Sequence, residues 1–201
     1  MSELDRCARA HLNRQRGVYA VEFALVALIF FLMVFGIVEF ARMLYVFNTV
    51  QEVTRIAASA TVHENFRNTI RLQQIREASV LRSTPGVLPL GAPISDQHVR
   101  IEFLASFDNG SGKTEMHVIP ENQLPSCPMN NRHICMANPN ASNCVRYVRA
   151  RICEPGNQAI CEKAQVTLMI PMVSFTVEVP HASFVLPVES LGYMPNMAAC
   201  P

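Results

Sequence analysis

Apolar residues follow three rhythms along this chain. From Phe23 to Val38, 16 residues pass without a charge, and only Gly36 among them is not strongly apolar. From Leu44 to Ala57 the apolar positions Leu44, Phe47, Val50, Val53 and Ala57 recur close to a 3.6-residue repeat, among Asn48, Gln51, Glu52 and Arg55. Further on the period falls to two: Val148, Ala150 and Ile152 alternate with Arg149 and Arg151, and Val173, Phe175, Val177 and Val179 alternate with Ser174, Thr176 and Glu178. These rhythms predict a helix apolar all round, an amphipathic helix and half-buried strands.

Extended back to Val18, the uncharged run plus Glu22 measures 21 residues. As a helix that is about 31 Å, one hydrocarbon core. No other stretch comes near this, so a single pass is expected. Arg6, Arg9, Arg14 and Arg16 precede it, while only Arg42 and Arg55 are basic in the 20 residues after Val38. That asymmetry keeps the short N-terminus in the cytoplasm and exports the larger part. A cleaved secretory signal fits less well, because the first A-x-A triplet, Ala58-Ser59-Ala60, lies about twenty residues past the run.

Two acids bracket the run. Glu39 stands three residues before Arg42, where an i,i+3 pair can form. Glu22 lies among Val18, Tyr19, Ala20, Val21 and Phe23, where a carboxylate inside lipid costs about 2.5–3.5 kcal/mol. A cut after Gly17 would create an ammonium on Val18, four residues and one helical turn from Glu22. The two charges would then compensate within one chain or between adjacent helices.

A basic leader ending in Gly17, a Glu at the fifth position after it, then Phe23 and an apolar helix resemble a type IV prepilin-type processing site. The wider stretch, Arg16-Gly17-Val18-Tyr19-Ala20-Val21-Glu22-Phe23-Ala24-Leu25-Val26 with Phe35-Gly36-Ile37-Val38-Glu39-Phe40-Ala41-Arg42-Met43-Leu44-Tyr45, resembles the TadE-like family, minor pilins or pseudopilins of the tight adherence (Flp pilus) system. The resemblance covers about residues 14 to 60. It implies Gly17 as the residue before the cut, Val18 as the new N-terminus, Glu22 as the acid needed for processing or assembly, and Phe23 as the aromatic beside it. It also implies a bacterial inner-membrane protein with a periplasmic head, incorporated into a surface pilus in one variant of this reading. Its partners would be the membrane, a prepilin peptidase, other pseudopilins or pilins and the assembly platform. An ordinary type IV pilin or type II secretion pseudopilin is the nearest rival; a generic membrane-anchored binding module is a more distant one.

The expected fold class is α+β, and pilin-like: a leader over 1–17, a transmembrane helix over 18–40, an amphipathic helical stem over 41–84 and a β-rich head over 85–201. A second apolar series in the stem, Phe66, Ile70 and Ile75, follows a break near Ser59 to His63, and Ser83-Thr84-Pro85-Gly86 ends helix formation. In the head, Val99 to Phe107 and Thr114 to Ile119 flank Asp108-Asn109-Gly110-Ser111-Gly112, a hairpin turn by its chemistry. Prolines 171, 180 and 187 favour edges and bends over a long continuous sheet.

Composition changes the picture in one place. The formal net charge is +1 and 16% of residues are charged, which points to neither nucleic acid nor disorder. Seven cysteines are present. Apart from Cys7 in the leader, they are Cys127, Cys135, Cys144, Cys153, Cys161 and Cys200, all in the head. In an exported domain these six read as up to three disulfides, whose pairing the sequence leaves open. Leu124 to Asn143, rich in Pro, Asn and Cys, reads as a stapled loop. A zinc site built from Cys127, His133, Cys135 and Cys144 is the alternative, disfavoured by the absence of a C-x-x-C pair.

Gly110-Ser111-Gly112-Lys113-Thr114 ends like a phosphate-binding loop, but Phe107 occupies the first glycine position and a strand, not a helix, is expected next. No G-x-S-x-G or H-E-x-x-H pattern occurs. His98, His117 and His181 read as surface or strand residues, and an anchored hydrolase would need a polar pocket that the sequence does not indicate. No catalytic activity, cofactor, metal, nucleic acid or small-molecule substrate is expected.

Overall fold

A computed structural model describes residues 3–108, 114–156, 160–169 and 175–194, with side chains from residue 18 onward. The long helix α1, Glu3–Thr61, is followed by α2 (Thr69–Ser79), β1 (Val99–Asp108), β2 (Thr114–Val118), α3 (Pro128–Ala137), β3 (Tyr147–Ile152), β4 (Gln165–Thr167), β5 (Thr176–Glu178) and β6 (Ser183–Pro187). The chain divides into two compact units, 1–43 and 44–201. It is the α+β arrangement that the apolar rhythms predict.

In the first unit the described part of α1 is exposed on every side between Val18 and Val38, apart from a partly covered Ala27. Among the described residues, α1 from Val18 is the one helix long and apolar enough to cross a membrane. Phe30 meets Phe31 edge to face at 5.6 Å, and Phe31 stacks on Phe35 at 6.2 Å. The i,i+4 spacing of Phe31 and Phe35 brings those two rings onto one face.

In the second unit α1 becomes one-sided. Val46, Val50, Val53 and Ala57 are buried, and Thr54, Ala58 and Thr61 lie beside them. The threonine hydroxyls on this stripe are satisfied within the helix: Thr54 donates to Gln51 O at 2.8 Å and Thr61 to Ala57 O at 2.7 Å. The stripe is shifted from the predicted one, since Val46 is covered while Leu44 is 47% exposed and Phe47 only partly buried. A 3.6-residue repeat accommodates either register, so packing decides. In the second apolar series Phe66 is buried, but Ile70 is exposed and Leu72 takes the inward place. Asn68 caps α2 by accepting from Arg71 N at 3.1 Å.

The main sheet runs β2-β1-β3-β6, antiparallel throughout, and β4 and β5 form a separate two-stranded sheet. Phe103 lies opposite Val148, and Ile101 opposite Ala150. Phe103, Ala105 and Val148 pack against Val62, Phe66 and Leu72, closing a core that also holds Ile119, Val145 and Leu191. Phe66 meets Phe103 edge to face at 5.7 Å, a geometry worth about 0.5–1.5 kcal/mol beyond burial. On the opposite face Glu102 accepts from Arg149 Nε at 2.6 Å and pairs with Arg151. The alternating arginines of β3 are therefore half-buried and share one carboxylate across the ladder.

The two strands flanking the predicted hairpin pair as expected, Asp108 opposite Thr114; the turn itself, 109–113, lies outside the described residues. Thr114–Val118 is a strand, which removes the helix that a phosphate-binding loop requires. Of the predicted strand over 173–179, Thr176–Glu178 forms β5 with Phe175 exposed, and 173 and Pro171 lie outside the described residues. The expected loop at 124–143 is corrected: Pro128 opens a ten-residue helix, a position where a missing N–H costs nothing.

Candidate functional site

The residues singled out for processing sit on one continuous stretch of α1. Gly17, Val18, Glu22 and Phe23 fall within two turns of it, and the side chains of Val18, Glu22 and Phe23 are exposed. Val18 and Glu22 are one turn apart, a rise of about 6 Å, so both project from the same face. A carboxylate there has no partner from the described part of its own helix at i+3 or i+4, since Leu25 and Val26 occupy those positions.

Glu39 and Arg42 form the predicted i,i+3 pair, with Arg42 Nη1 2.6 Å from Glu39 Oε1. Their side chains are 9% and 8% exposed, far less than a pair lying in open interface water would be. Between Glu22 and Glu39 stands Gly36, and apart from its chain neighbours and its own helix backbone nothing described lies within 4 Å of where its Cβ would be. Glycine in a helix interior costs about 0.5–1 kcal/mol relative to alanine, and the chain's own contacts do not require it.

The head cysteines are brought together locally. Cys135 bonds Cys144, and Cys153 bonds Cys161, across 9 and 8 residues. Loops of this size give about 2–3 kcal/mol each in the chain-entropy account. Cys127 is disulfide-bonded too, and Cys200 lies outside the described residues. Oxidation of Cys127, Cys135 and Cys144 removes the thiolates that the alternative zinc site needed. No group of three metal-ligating side chains occurs among the described residues.

Several positioning residues carry no motif. Asn131 on α3 spans Val145 in both directions, accepting from its N–H at 2.8 Å and donating to its carbonyl at 3.2 Å, which docks α3 on the start of β3 beside the Cys135–Cys144 bond. The Arg67 guanidinium donates to three carbonyls of the segment before α3: Pro125 at 2.8 Å, Glu121 at 3.3 Å, and Leu124. Asp96 accepts from Gly86 N at 2.9 Å and from Gln73 Nε2 at 2.8 Å, tying α2 to the turn before β1. Leu191 N donates to Val62 O at 3.0 Å, and Gly192 next to it has φ +74° with its Cβ position 2.9 Å from Asn65 N, a close approach that only glycine makes without strain.

His98 departs from the surface reading. It is 5% exposed, and its Nδ1 accepts from Ser95 N at 3.1 Å, while Nε2 stands 3.9 Å from Glu154 Oε2. Burial lowers its pKa, against the opposing pull of Glu154 and Asp96. The Ser95-x-x-His98 spacing, that of a capping box, was the available signal. His117 lies on β2, its Nε2 3.1 Å from Ser142 O, and His181 is exposed.

A TadE-like protein family model matches residues 17–59, so it covers α1 from the glycine before the apolar run to two residues short of the helix end. This is the same stretch that carries the resemblance in the sequence. The TadE-like family is structural and associated with the Tad pilus, not enzymatic. No curated protein and no solved structure matches the chain.

Proposed function

We propose that this protein is a minor pilin or pseudopilin of a tight adherence pilus, cut after Gly17 by a prepilin peptidase. One observation carries the reading: a TadE-like match that begins at residue 17, on a helix whose exposed apolar surface contains an acid one turn beyond the cut. Residues 18–40 cross the inner membrane once, 1–17 face the cytoplasm as the leader, 41–84 form the stem and 85–201 are the periplasmic head. Val18, once freed, supplies the ammonium that Glu22 compensates, within one chain or from a neighbouring subunit; Phe23 packs beside it. The work is assembly with other pseudopilins or pilins on the platform.

Substitution Glu22→Ala tests this role. The variant is expected to insert in the membrane at wild-type levels, because removing a charge from the apolar run lowers the insertion cost, and to lose at least about tenfold in processed or pilus-associated protein, the equivalent of one ion-pair-sized loss of about 1.4 kcal/mol. Both are read by fractionation and immunoblotting. Normal processing together with normal piliation would contradict it.

A further inference from the structure

A groove of about 680 Å³ runs between α2 and the sheet, within the range of volumes that ligand sites occupy. Its floor is made by the partly covered Ile101 and by the core residues Phe66, Leu72, Phe103 and Ile119, these four no more than 6% exposed. Ile101 remains only partly covered although its neighbours on the same face are core residues.

Three arginines line this groove, Arg67, Arg76 and Arg100; Arg100 donates through Nη1 to Ile160 O at 3.4 Å, and the other two lack a carboxylate beside them. Five arginines outside the groove find carboxylates, Arg42 with Glu39, Arg55 with Glu52, Arg71 with Glu64, and Arg149 and Arg151 with Glu102, while Arg82 donates to Val87 O and Arg132 lies over the Tyr193 ring. Arg67 instead spends its donors on three backbone carbonyls, and Arg76 donates through Nη1 to the amide oxygen of Gln73 at 3.2 Å. Among the described residues neither has a carboxylate at ion-pair distance. Arg76 is partly buried there, and desolvation pulls its pKa down against the field of Asp96. Two acids also line the groove and limit the positive field. Glu102 is already taken by Arg149 and Arg151, and Glu121 is exposed. A guanidinium has five N–H donors, so Arg67 and Arg76 both retain unused ones.

We infer that this groove docks an extended peptide segment of another polypeptide, one that places an apolar side chain against Ile101 and a carboxylate against Arg67 and Arg76. The apolar part is held by burial, and the carboxylate supplies the charge-assisted bonds that the groove's own residues do not. The volume admits several side chains at once, and the sign of the unmatched charge sets the sign of the partner.

The full chain in detergent micelles, titrated against a fluorescein-labelled hexapeptide of alternating leucine and glutamate, tests this by fluorescence anisotropy. The expected result is saturable binding at least about tenfold tighter than that of the leucine–lysine counterpart. Arg76→Gln should weaken it about fivefold or more. Thr69→Glu should do the same: Thr69 is exposed on the groove at the first position of α2, where an acid favours the helix, so this variant keeps the fold while repelling the peptide. Equal binding of the two peptides, absence of saturable binding up to about 1 mM, or Leu–Glu binding unchanged by Thr69→Glu would overturn the inference. None of these outcomes bears on cleavage after Gly17, which concerns the other end of the chain.

Discussion

The segment 18–38 and the unit from 44 onward obey opposite rules of burial. In the first, Phe23, Phe30 and Phe35 are 74%, 59% and 55% exposed. In the second, Val50, Val148 and Leu104 are within 1% of fully buried, and the buried polar groups Asp96, Asn131 and Thr61 are hydrogen-bonded. A protein interior supplies its own apolar phase; an isolated apolar helix must find one outside. The difference teaches that the two regions answer to separate free energies, one of folding and one of transfer to lipid or to neighbouring helices.

Mutations that touch one and spare the other sharpen this. Phe103→Ala removes a ring from the head core and is expected to cost about 3–5 kcal/mol, with membrane insertion unchanged; chemical denaturation of the purified protein in detergent and alkaline extraction of membranes measure the two. Phe30→Arg should do the reverse. It places a charge mid-run at about 3 kcal/mol of insertion free energy while leaving the denaturation midpoint of the head where it was. A head destabilised by Phe30→Arg would mean that the two regions are not separable.

The smallest expected effect is on pH dependence. His98 has a folded pKa below its ordinary 6.5, so the unfolded chain binds the proton more readily. The sign follows: stability is intact above about pH 6.5, falls as pH drops below the unfolded value, and levels off once the folded value is passed. Protonation of Nδ1 also breaks its bond from Ser95 N. Thermal unfolding between pH 7.5 and 5 should show this slope, and His98→Gln should flatten it. Glu178, lowered by the Lys163 hydrogen bond, contributes in the same direction only near or below its ordinary 4.5, outside that window.

The elements with a strict period were the legible ones. The alternation at Val148, Ala150 and Ile152 is β3, and the run before Val38 is the exposed segment of α1. The stem stripe was legible as helix but not in its register, because Leu44 and Val46 satisfy the same repeat equally and only tertiary contacts choose. α3 was hidden by composition: proline, asparagine and cysteine argue for a loop until Pro128 is recognised as a first-turn residue and Asn131 and Cys135 as one face. β6, ending in Pro187 at the sheet edge, has too short an apolar run to be read alone. The clamps at Arg67 and Asn131 act across 58 and 14 residues, distances over which no local pattern operates. The TadE-like stretch was readable because its signal is local: glycine, acid, aromatic and apolar run lie within a few turns of one helix.

Whether the mature chain starts at Val18 is the point on which the assembly reading turns, and intact-mass spectrometry of the protein recovered from host membranes measures it. The account predicts a chain lacking residues 1–17 when the prepilin peptidase is present and the full-length chain when it is deleted. A functional, pilus-associated form that still carries Met1 would contradict it.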